Sequence, residues 1–188
     1  MREARGGGTE KRRHGVGDLV IRLKHHADGA VSLTCTRADG SATWQRFEGP
    51  TAMVLPGHDL THYAVETTLG FRRGFYGLLC EGWEIQDFAT PWPRGPIPDE
   101  AREVELLVGF FDAERREGTT WSADEFAQHA AVFLDAARAR GKAAPTEVTL
   151  PTAEQLVAVR AARDALLAQW FATPTGGELQ LTFSRGLF

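Results

Sequence analysis

His58 and His62 stand four residues apart in the segment HDLTHYAVETTLGFRRGFYGLLCEGWEIQDF. On a helix that spacing puts both imidazoles on one face, with Cβ atoms about 5–6 Å apart. Neutral imidazole nitrogens bind zinc at about 2.0–2.1 Å, so rings from successive turns can share one ion. A third ligand is then required, and two carboxylates qualify. Glu66 continues the same stripe, and Glu81 sits on the next helical segment, where a fold-back between Gly70 and Gly74 brings it alongside.

His58-Asp59-Leu60-Thr61-His62, followed by eighteen residues and Glu81, resembles the HExxH-x18-E pattern of gluzincin metallopeptidases, in particular the zinc aminopeptidases. Leu79-Cys80-Glu81-Gly82-Trp83 is similar to that family's Asn-Glu-Gly-Phe. The resemblance covers about thirty residues, and it implies that His58, His62 and Glu81 are the metal ligands. It further implies a sheet preceding the metal-binding helix. Asp59 stands where the family carries its general-base glutamate, and the shorter side chain retracts the carboxylate by over an ångström. Misplacement on that scale costs about a hundredfold in rate, so metal binding survives the change better than peptidase activity. The family's downstream tyrosine also has no counterpart, since Tyr63 and Tyr76 both lie inside the motif region.

These residues together point to a zincin-like protein that binds a divalent metal, with zinc the first choice. In a hydrolase the ion would polarise a carbonyl and lower the pKa of bound water toward about 7, with Asp59 or Glu66 accepting the proton. The bond broken would be an amide or ester, in a small molecule or a peptide. The competing reading is a non-catalytic structural or protein-interaction domain. There the His–Asp–His–Glu stripe is a hydrogen-bonded helix junction, with Glu66 or Glu81 paired to Arg73 or Arg72. Trp83, Trp92 and the Pro91–Pro98 loop are a third possibility, as a surface for a partner.

The remaining versatile residues carry less. His25 and His26 are adjacent at a strand end and face opposite sides of a sheet, and His26 reads as an exposed turn residue. His129 falls on a helix surface. Cys35 and Cys80 form no CxxC, which points to reduced thiols and no thiolate zinc site. No GxxxxGK[ST] follows a strand, so the glycines build no phosphate loop.

Elements must position the histidines. Leu19, Ile21 and Leu23, then Val31, Leu33 and Cys35, alternate with polar residues, with Asp28-Gly29 and Asp39-Gly40 between the runs. Such pairs accept positive φ and favour hairpins, predicting a three-strand meander over 18–48. After Pro50 and Pro56 the period becomes helical, and Gly70 suits a left-handed C-cap. A second helix is predicted near GFYGLLCEGWEIQDF, although three glycines weaken it. ATPWPRGPIPDE is irregular and reads as a stiff connector rather than a cleft wall. Asp99 is read as the cap of a third helix with Val104, Leu107, Val108 and Phe111 on one face, while Ser122/Glu125 and Thr152/Gln155 fit capping boxes for two more. Leu179, Leu181 and Phe183 mark a last strand, and only the meander can receive it. The sum is an α+β fold, a small antiparallel sheet packed against about five helices, with residues 17–188 as one domain and no internal repeat.

At 188 residues and 43% hydrophobic, the chain buries roughly 70% of its unfolded surface without needing metals or disulfides. The net charge is -4, and the first fourteen residues carry five cations against two anions, which leaves the remainder at -7. That sign disfavours nucleic acid, because phosphate neutralisation supplies such affinity. Residues 1–16 read as a disordered basic tail without the apolar core of a signal peptide, which points to the cytoplasm. No apolar run approaches the roughly 18 residues of a membrane span.

Overall fold

The structure, a computed structural model, describes residues 17–90 and 92–185. The basic segment 1–16 and Pro91 therefore lie outside the described residues. Strands β1 (Leu19–His25), β2 (Val31–Thr36) and β3 (Ala42–Phe47) form the meander, and β4 (Glu178–Phe183) joins its free edge. The sheet is antiparallel with order β3-β2-β1-β4. The turns are built as their residues dictate: Gly29 and Gly40 take φ of 82° and 83°, and the preceding aspartates accept hydrogen bonds from Ala30 and Ser41 backbone N–H groups. In register, Leu19 faces Phe183, Ile21 faces Leu181, and Leu23 lies between Leu33 and Leu179. One sheet face is thereby apolar, and the helices cover it.

Helix α1 (Pro50–Leu69) begins six residues before Pro56. Pro50 occupies a first-turn position where its missing N–H costs nothing, and Pro56 sits inside the helix with its own missing donor. Gly70 ends it in the left-handed conformation at φ 77°. The predicted second helix divides into α2 (Phe75–Cys80) and a 3-10 turn, Ile85–Phe88, separated at Gly82 with φ 92°. Helices α3 (Asp99–Glu117), α4 (Ala123–Ala139) and α5 (Ala153–Ala172) complete the layer, making five α-helices among the described residues. Both predicted capping boxes form. Asp99 is not a cap: Pro98 holds that position, and the Asp99 carboxylate accepts from the Thr146 N–H at 2.9 Å.

A single apolar cluster takes residues from every strand and helix, including Leu23, Leu33, Leu60, Leu107, Phe111, Phe126 and Trp170. Helix α1 lies at its centre, between the sheet, α3 and α5. No helix among the described residues is long and apolar enough to cross a membrane.

Candidate metal centre

Helix α1 presents His58, His62 and Glu66 on one stripe, and α3 runs antiparallel across it. His58 meets Asp112 and His62 meets Glu105, two residues of α3 that lie seven apart and so share a face. Between them stands Gly109, whose Cβ position would have no atom within 4 Å. This small residue opens the space in front of the histidines.

The ring nitrogens are arranged in two sets. His58 Nδ1 is 2.8 Å from Asp112 Oδ2, and His62 Nδ1 is 3.6 Å from Glu66 Oε1. The outer nitrogens are thus turned to carboxylates, and the Nε2 atoms are turned inward. They lie 3.2 Å from each other, and His62 Nε2 is 3.1 Å from Glu105 Oε2. Ligands placed tetrahedrally about 2.0–2.1 Å from one ion stand about 3.3–3.4 Å apart, so these two separations come close to such a shell, while the third, His58 Nε2 to Glu105 Oε1, is longer at 3.9 Å. His58, His62 and Glu105 form a group able to hold a metal ion. The Asp112 carboxylate on His58 Nδ1 favours the tautomer whose Nε2 lone pair would face an ion, whereas His62 Nδ1 is buried without a hydrogen-bond partner, 3.6 Å from Glu66.

Electrostatics follow from the same contacts. Burial works against a charged His62, but Glu105 and Glu66 on its two nitrogens outweigh it and lift the pKa to about 10. The bond to His62 holds the Glu105 carboxyl below its usual range despite partial burial. Burial opposes charge on Asp112 too, yet His58 and Arg115 bring its carboxyl below the ordinary value. The two carboxylates facing the His62 ring, Glu105 at Nε2 and Glu66 toward Nδ1, thus favour its protonated form. Since the folded pKa exceeds the unfolded value of about 6.5, this charge stabilises the fold fully below pH 6.5, and the contribution fades as pH rises through about 10.

Glu66 is 1% exposed and holds structure as well as charge. Its two oxygens accept from the Tyr76 and Gly77 backbone N–H groups at 3.1 and 3.2 Å, pinning the start of α2 beneath the histidines. It acts behind His62 rather than in the open face of the group.

Two residues expected at the site are elsewhere. Glu81 pairs with Arg73 at 3.2 Å and Arg185 at 2.9 Å, and it lines a different cavity with Cys80 and Arg37. The short α2 carries it past the histidines, because Glu66 ties α2 down near its N-terminus. Asp59 lies about 100° around α1 from His58, where its side chain is buried, its Oδ2 lacks a partner, and burial raises its pKa to about 6. It does not face the cavity beyond His62. Glu105 escaped the sequence reading because it lies 43 residues from His62. Its signal was there on α3, in the face Arg102–Glu105–Gly109–Asp112 opposite the buried Val104, Leu107, Val108 and Phe111.

The other histidines among the described residues are occupied. His25 stacks on Trp170 and His129 on Trp121, each at 3.8 Å between ring centroids, and His26 Nε2 lies 2.9 Å from the Ser32 hydroxyl. Both cysteines are free thiols, and burial pushes the Cys80 pKa up to about 11, so neither is an activated nucleophile. The proline-rich segment proves to be a wall and not a plain connector. Trp92 and Ile97 line a cavity of about 710 Å³ that reaches His62 and Glu105, while Trp83 is buried in the core and offers no surface to a partner.

Set against known proteins, the chain matches no family model, no curated protein and no solved structure.

Proposed function

We propose that the protein binds one divalent metal ion, zinc by its donor set, through His58 Nε2, His62 Nε2 and Glu105, and uses the remaining coordination position for hydrolysis of an ester or amide. The observation supporting this is the clustering of two Nε2 atoms, 3.2 Å apart, beside the Glu105 carboxylate, 3.1 Å from His62 and 3.9 Å from His58, with Asp112 bonded behind the His58 ring. Two imidazoles and one carboxylate with a further position free is the donor set of catalytic zinc, not of closed structural sites. The chain's own residues set the conditions for the ion. Asp112 would orient the His58 ring, Glu105 would add the third ligand from α3, and the neighbouring cavity wall is mostly apolar. A metal in that position would supply Lewis-acid polarisation of a carbonyl and a bound water of lowered pKa.

The raised His62 pKa equally suits the rival reading, a metal-free junction in which His62 is a permanent cation between Glu105 and Glu66. The two are separated by titrating zinc into chelator-stripped chain without a histidine tag. A zinc ion must displace the His62 proton, so binding at pH 7 should release about one proton from this residue, and affinity should rise about tenfold per pH unit below pH 10. Calorimetry in buffers of different ionisation enthalpy reads the proton count. Absence of zinc uptake, or uptake with no pH dependence, would favour the junction.

A further inference from the structure

We infer that the cavity beside the metal group binds a small carboxylate with an aryl or alkyl body, its head at the metal and Arg102 and its body against the aromatic wall. The inference rests on the metal reading for the head and on the cavity alone for the body.

The cavity of about 710 Å³ falls in the range of small-molecule sites, roughly 300–1,000 Å³. Its walls are Phe75, Phe88, Trp92, Ile97, Phe110 and Phe133. The polar groups that reach it are few and close together: His62, Glu105 and Arg102. Arg102 and Glu105 are three apart on α3 and hence neighbours on one face. The guanidinium keeps only a long contact to Asp99, 3.5 Å, which leaves donors of its planar fork for a carboxylate. Glu105, with Asp112 and Glu66 behind the rings, would offset the charge of the ion, so the attraction for an anion comes from the open coordination position and from Arg102 one turn away.

Two features of the chain keep this space open. Gly109 leaves the α3 wall without a side chain, and nothing lies within 4 Å of where its Cβ would be. Trp92 is the one non-glycine residue with positive φ among the described residues, at 56°, a conformation costly for a bulky side chain. That strain is spent on turning an indole into the cavity wall. A carboxylate is also what ester or amide hydrolysis would leave there.

The probes are acetohydroxamate, 4-phenylbutyrohydroxamate and 4-phenylbutyrate, titrated calorimetrically into zinc-loaded chain. The phenyl-bearing hydroxamate should bind at least tenfold more tightly than acetohydroxamate. Ala144→Phe, on the cavity lining contributed by the irregular segment after α4, should abolish that gain while leaving zinc stoichiometry and acetohydroxamate affinity in place, with Ala144→Leu as the smaller filler if the first variant melts early. Arg102→Ala should weaken 4-phenylbutyrate at least tenfold. Equal affinities for the two hydroxamates, or a phenyl gain that survives both fillers, would overturn the inference. If zinc does not bind, 4-phenylbutyrate is followed in the metal-free chain by the Trp92 indole resonance. Binding that Ala144→Phe removes would then uphold the body site while the metal reading fails, and no binding would end both.

Discussion

Replacing His62 with alanine should raise the zinc dissociation constant by well over a hundredfold. Loss of a group that merely orients a ligand costs 10–100-fold, and His62 is a ligand whose Nε2 lies within 3.2 Å of both other donors. The effect is visible without any substrate. Zinc at about a hundred times its dissociation constant should stabilise the native chain by about 2.7 kcal/mol, and the variant by nothing measurable. Thermal melts with and without zinc read this difference directly. The variant also deletes a side chain that is 4% exposed and contacts Phe75, so its metal-free melting point falls as well. What separates the metal centre from a polar junction is the loss of the zinc increment, since a junction residue would lower both melts equally.

Gly77→Ala should be the most destabilising single methyl addition near the site. A Cβ at Gly77 would collide with the Arg72 backbone carbonyl, and that carbonyl belongs to the tight link between α1 and α2 and has no room to retreat. The Gly77 N–H is also one of the two donors held by buried Glu66, so displacing α2 opens that bond. Overpacking costs about 1–3 kcal/mol, and an unpaired buried donor adds about 1–3 more. The expected loss is about 3–5 kcal/mol, a fall in Tm of roughly 10 °C or more. Gly82→Ala is the control. Its φ of 92° requires glycine, but its surroundings are open, so only the backbone cost of about 1–3 kcal/mol applies. A denaturant series on both variants checks the ranking.

The glycines also show where local reasoning ran short. Gly74 and Gly77 weakened the prediction of α2 because glycine lowers helix propensity. In the fold they are there because the chain doubles back so closely that Glu66 and the Arg72 carbonyl occupy the space of a side chain. Propensity is a property of the single residue, and close approach is set by partners five to eight residues away. The sheet, by contrast, was legible, because period-two alternation and Asp-Gly turns are local signals, and a lone C-terminal strand had one sheet to join.

The candidate site divides along the same line. His58 and His62 declare themselves through helical spacing, which needs no tertiary knowledge. Their third partner depends on which helix crosses α1, and a regular spacing to Glu81 says nothing of that crossing. Glu105 and Asp112 are instead the polar face of α3, a pattern visible in the chain but assigned meaning only when that face is found against the histidines. Asp59 illustrates a further limit: adjacency in sequence places a helical residue on a different side from its neighbour.

The most direct test of the account is X-ray absorption on chain purified without a histidine tag and loaded with one equivalent of zinc. The account predicts two imidazole nitrogens and a carboxylate oxygen at about 2.0–2.1 Å, with one further oxygen completing the shell, and loss of one imidazole signal in His58→Ala. Zinc that stays in solution, or a bound ion with no imidazole in its shell, would contradict it.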